Sequence, residues 1–127
     1  MALMNRNCSW WNDKAAASAP EYVLEHEQIH FALYELGARR LNADAEALKR
    51  SMLSEGTSAE AVHRHAQQAL NDALVKATQH IVERNRRFDE DTSLGYRPDR
   101  QREWLARVTA ELAETAMHAS PPLRTAP

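Results

Sequence analysis

The chain has 127 residues, 43% of them hydrophobic and 27% charged, with only 3 glycines: one domain by length, and too few turn formers for a β-rich fold. A formal net charge of −2 gives no basic footprint for nucleic acid, and no apolar run approaches the roughly 20 residues that span a bilayer. The single cysteine, Cys8, excludes an internal disulfide framework, which leaves an all-α domain as the expected class.

Residues 1–17 read as an irregular segment, anchored by Trp10 and Trp11. Ser18-Ala-Pro-Glu21 has the form of a capping box, and a helix is predicted to follow to about Leu41. Its apolar residues, among them Ile29, Phe31, Leu33 and Leu36, cover much of its surface, so it reads as central. Gly37 interrupts it at a cost of about 1 kcal/mol, tolerable where another element approaches closely. A shorter helix over Asp44 to Leu53 is predicted to stop at Gly56. Thr57-Ser-Ala-Glu60 forms a second capping box and opens a long helix to about Arg87, with an apolar stripe through Val62, Ala69, Leu74, Ala77 and Ile81. Phe88 to Asp99 reads as a structured loop, and a last helix runs from Pro98 to His118 with Trp104, Leu105, Val108 and Leu112 on one face. The helical domain is thus placed at 18–118, and 119–127, rich in proline, is expected to be disordered.

The first helix contains His26-Glu27-Gln-Ile-His30, an H-E-x-x-H pattern. Residues four apart on a helix project from one face, so His26 and His30 can both reach one Zn²⁺ at about 2.0–2.1 Å. Glu27, one residue along, stands beside the metal as the general base. The plain alternative is a solvated polar stripe, since Glu21, Glu25, Gln28 and Glu35 share the helix. A catalytic zinc needs a third protein ligand. Asp89 and Asp91 in the predicted loop are candidates, as are Glu60, His63 and His65 at the start of the long helix. His80 and His118 read as surface histidines.

The block CSWW…EYVLEHEQIHFALYELGARRLN resembles a bacterial family of uncharacterised, predicted secreted zinc-dependent proteases. Ser9, Trp10, Leu24, His26, Glu27, Gln28, His30, Phe31, Glu35, Leu36, Ala38 and Arg39 stand in register with its first signature. The second, a Tyr-Asp-x-x-Thr-x-His-Gly loop before a Gln-x-x-Trp helix, is met by Asp89, Thr92, Gly95, Gln101 and Trp104. The resemblance implies a zincin-type active-site helix, a zinc cofactor, a peptide or protein substrate and export from the cell. The N-terminus MALMNRNCSWW, however, lacks a basic segment followed by an apolar stretch and is not expected to be a signal peptide. It also implies an N-terminal sheet that this chain is expected to lack.

Leu94 stands where the family has histidine, so Asp89 becomes the preferred third ligand beside His26 and His30. Tyr96, just past the loop glycine, is the candidate oxyanion donor, with Arg97 and Arg100 as substitutes. Two functions follow as expectations. One is a zinc metallopeptidase. The other is an inactive relative acting as an assembly module, whose apolar helix faces could pair in a homodimer.

Overall fold

A computed structural model describes residues 17–54 and 58–121. The expected irregular segment with Trp10 and Trp11, the stop at Gly56 and most of the proline-rich C-terminus lie outside these residues. The described residues form helices only: α1 (Pro20–Ser54), α2 (Ala59–Thr92), α3 (Pro98–Glu114) and a closing 3-10 turn, Ala116–His118. The all-α expectation holds for them. Cross-contacts fix the directions. His26 and His30 meet Asp89, and Gly37 meets Ile81, so α1 and α2 are antiparallel. His26 meets Gln101 and Arg39 meets Leu112, so α3 runs parallel to α1.

Several boundaries differ from the sequence reading. The separate helix over 44–53 does not exist; α1 is continuous for 35 residues, about 52 Å. The expected break falls at Asn42, a residue type whose side chain can compete with helical backbone. Asn42 instead spends its amide on His118 O at 2.8 Å and Ser120 Oγ at 3.1 Å, so it does not turn on its own backbone. The expectation of a close approach at Gly37 holds. A Cβ there would lie 2.2 Å from Ile81 Cγ1 and Cδ1, so the glycine lets α2 approach closely. Both helices open one residue later than the capping boxes predict: α1 opens on Pro20 with Val23 N bonded to Ala19 O, and Ser58 caps α2 by accepting from Ala61 N at 3.4 Å. Thr57 lies outside the described residues.

The largest correction concerns 88–92, read as loop and found as the last turn of α2. The glycine, proline and turn formers of 88–99 point to a loop, and Asp89, Glu90 and Asp91 near a helix C-terminus oppose the dipole. Each charge has a partner that offsets this. Glu90 pairs with Arg86, Asp91 accepts from Trp104 Nε1 at 3.1 Å, and Asp89 faces His26 and His30. Packing completes the turn: Phe88 and Thr92 are fully buried, and tertiary burial outweighs local preference.

The core comprises Ile29, Leu33 and Leu36 of α1, Phe88 of α2, and Trp104 and Val108 of α3, with Ala32, Leu105 and Leu112 packed against it. All of it lies where the three helices run together. The α2 stripe expected to be apolar core contributes only Ala77, while Leu70, Leu74 and Val82 are exposed.

Candidate metal centre

His26 and His30 project from successive turns of α1 toward the last turn of α2. Their Nε2 atoms converge on one oxygen: Asp89 Oδ1 lies 3.4 Å from His26 Nε2 and 3.0 Å from His30 Nε2. Phe88, the residue before Asp89, packs both rings. It stacks on His26 at 4.5 Å between centroids and meets His30 edge-on at 4.8 Å.

The other ring nitrogens are held by buried amides. His26 Nδ1 is 3.1 Å from Gln101 Oε1, and His30 Nδ1 is 2.6 Å from Asn85 Oδ1. The amide orientations follow from their second bonds. Asn85 Nδ2 donates to Ile81 O at 2.9 Å, and Gln101 Nε2 donates to Tyr22 O at 3.2 Å and Glu25 Oε1 at 2.8 Å. Backbone carbonyls only accept, so both amide oxygens face the imidazoles, and each Nδ1 must carry the hydrogen. A neutral ring then presents a bare lone pair at Nε2. Two such lone pairs aimed at a carboxylate oxygen repel unless a cation, a proton or a metal ion, lies between them.

The donor set fits a metal. Two imidazoles and a carboxylate suit zinc, and bonds of about 2.0–2.1 Å imply tetrahedral donor separations of about 3.3–3.4 Å. The separations of 3.0 and 3.4 Å to Asp89 Oδ1 bracket that value. The ligating atoms of all three side chains lie within 4.8 Å of one another, and no other such group occurs among the described residues. Imidazoles anchored through their far nitrogen by polar partners are the usual support of a metal site. His26 is buried, whereas Asp89 is partly open to solvent, so a small molecule can approach from its side.

The turn after α2 closes over this cluster. Ser93, Leu94 and Gly95 all have positive φ, at 49, 56 and 86°. Thr92 Oγ1 receives Gly95 N at 3.3 Å, and Tyr22 donates its hydroxyl to Gly95 O at 2.7 Å. Gly95 is thereby laid against the His26 ring, where a Cβ would stand 3.5 Å from Nδ1. Burial, and then the nearby Glu25 carboxylate, raise the Tyr22 hydroxyl above its ordinary range, which keeps it a donor.

Glu27, the residue after His26, is exposed. The other candidates fall elsewhere. Asp91 is held by Trp104, and Leu94 is 71% exposed. Glu60 and His63 begin α2, some 26 residues or more before Asp89 and so about 40 Å away along the helix. They and His65 are not part of the cluster. Tyr96 is 87% exposed with no hydrogen bond to the cluster, while Arg97 pairs with Asp99 and Arg100 with Glu103. None of the three proposed oxyanion donors is brought to the histidines. Sequence reasoning missed Asn85 and Tyr22. Asn85 lies four residues before Asp89, on the same face of α2, a polar side chain inside an otherwise apolar stripe.

No family model, curated protein or solved structure matches this chain.

Proposed function

We propose that the chain is a zinc-binding, metallopeptidase-like protein that hydrolyses peptide bonds with water activated at the His26–His30–Asp89 cluster. One observation carries the reading: two Nε2 lone pairs and a carboxylate oxygen converge at metal-ligand spacing, while both Nδ1 atoms are committed to amide oxygens. The resemblance of the H-E-x-x-H helix and the Asp89–Trp104 segment to predicted secreted zinc proteases supports the same reading. When bound, zinc would supply a water of lowered pKa and polarise a substrate carbonyl. Asn85 and Gln101 fix the ring orientations and tautomers that such binding needs. Glu27, exposed and without a hydrogen-bond partner among the described residues, is the free carboxylate that would take a proton from the attacking water and return it to the leaving amine.

A second reading, an inactive relative serving as an assembly module, is favoured by the exposed Tyr96, the lack of any strand among the described residues and the exposed Leu70, Leu74 and Val75 of α2. A strand edge is the usual seat of an extended peptide.

Metal content measured on protein purified without added zinc, together with cleavage of a mixed peptide library, tests both. The wild type is expected to hold about one zinc per chain, and Asp89→Ala or the His26→Ala/His30→Ala pair to lose it. Glu27→Gln is expected to keep the metal and abolish cleavage. Equal metal content in wild type and the double variant would end the metal reading. Retained metal with no cleavage of any peptide would select the assembly module.

A further inference from the structure

A second cluster of chemistry lies outside the His-Asp site. A cleft of about 360 Å³ opens where α1, α2, α3 and the 3-10 turn meet. Its position follows from the close approach at Gly37 and Ile81. Arg40 lies three residues beyond Gly37, and His80 and Arg84 flank Ile81, so the approach brings them to one level. His118 of the 3-10 turn lines the cleft from the third side.

The charges there do not cancel. Arg84 grips Glu111 through two bonds of 2.8 and 2.9 Å. Arg39 pairs with Glu35 at 2.9 Å and donates to Leu112 O at 2.6 Å. Three guanidiniums against two carboxylates leave Arg40 in surplus. The side chains of Arg40, His80 and His118 have no hydrogen-bond or ion-pair partner among the described residues. The C-terminal carbonyls of α3, which would repel an anion, are themselves answered: Leu112 O by Arg39, and Glu111 O by Thr115 Oγ1 at 2.7 Å. His80 reports the resulting field. Its imidazole is held below the ordinary histidine range, first by burial and then by Arg40 and Arg84, with Glu111 opposing.

We propose that this cleft binds a small phosphate monoester, held by Arg40, His80 and His118 over the apolar floor of Leu36 and Ala43. Donors from three separate elements suit a tetrahedral dianion with several acceptor oxygens better than a single planar carboxylate, which one guanidinium fork would satisfy. The volume accommodates a compact organic body beside the phosphate, within the range of small-molecule sites. This site is independent of the metal reading.

Titration of the full chain with inorganic phosphate, followed on the imidazole resonances, tests it. His80 and His118 are expected to shift saturably and the His80 pKa to rise, because a bound dianion favours the imidazolium. Arg40→Gln, at an exposed position where folding is not at stake, is expected to weaken binding about tenfold, the loss of one charge-assisted hydrogen bond. His30→Ala is expected to bind phosphate as the wild type does, which separates this site from phosphate resting on a metal. Shifts that do not saturate, an unchanged affinity in Arg40→Gln, loss of binding in His30→Ala, or acetate binding as tightly as phosphate would each overturn the proposal.

Discussion

The two ends of the helical hairpin are held by different forces. Where α3 lies alongside, α1 and α2 bury Ile29, Leu33, Leu36 and Phe88 together with Trp104 and Val108. In the other half, no described side chain in residues 38–51 or 58–76 is buried. That arm has only half-buried side chains such as Leu48, Val62 and Ala69, helped by helix propensity and by i,i+4 pairs such as Glu60–Arg64, at 2.7 Å. The candidate site occurs in the packed half because its chemistry needs it there. Buried amides such as Asn85 and Gln101 can hold imidazoles in place only where neighbouring side chains exclude water and fix rotamers. The basic cleft lies at the margin between the two halves, where α3 ends.

The comparison breaks most readily at Phe88. Its replacement by alanine removes a fully buried ring from the packed half and is expected to cost about 3–5 kcal/mol. Leu74→Ala in the arm, at a residue 52% exposed, is expected to stay within about 0.5 kcal/mol. Urea denaturation of both variants checks this, and equal losses would mean that the arm is packed against something after all.

A smaller effect is expected at Gly37. A methyl 2.2 Å from Ile81 Cγ1 and Cδ1 forces that side chain off its rotamer or the helices apart, an overpacking cost of about 1–3 kcal/mol that exceeds the gain of about 1 kcal/mol in helix propensity. In an Ile81→Ala background the clash is gone and Gly37→Ala should become stabilising. Thermal unfolding of the two singles and the double would show whether the sign reverses; no reversal would mean that the glycine serves something other than close approach.

The smallest effect distinguishes two ion pairs. Arg84–Glu111 is bidentate and largely shielded, so Arg84→Ala is expected to cost about 1 kcal/mol, at the upper end for such pairs. Arg64–Glu60 is open to solvent on both sides and should contribute no more than about 0.5 kcal/mol. Repeating the measurement in 1 M salt should erase the second difference and leave most of the first.

Much of this fold can be read from the sequence, and the failures have physical causes. Helical class, the pairing of His26 with His30 and the apolar face of α3 follow from spacing alone. The length of α1 does not, because Asn42 finds its partners, His118 and Ser120, only in the tertiary structure. The end of α2 is hidden by the glycine, proline and turn formers of 88–99, which read as loop until the burial of Phe88 and Thr92 is known. Of the cluster residues, Asp89 was reachable through the resemblance to a known motif. Asn85 is marked only as a polar side chain in the α2 stripe and Tyr22 not at all, since their partners, the His30 ring and Gly95 O, lie 55 and 73 residues away.

The close approach of Gly37 to Ile81 has a mechanical meaning. It clamps α1 to α2 at one point, and the convergence of His26 and His30 on Asp89 clamps them again, 7 to 11 residues away along α1. Two rods joined at a single point can slide and roll; joined at two, they can do neither. A slip of one residue would move α2 by about 1.5 Å and turn Asp89 through about 100°, out of reach of both rings. The glycine therefore acts as an alignment pin, and the spacing of the donor atoms is set by the frame before any ligand arrives.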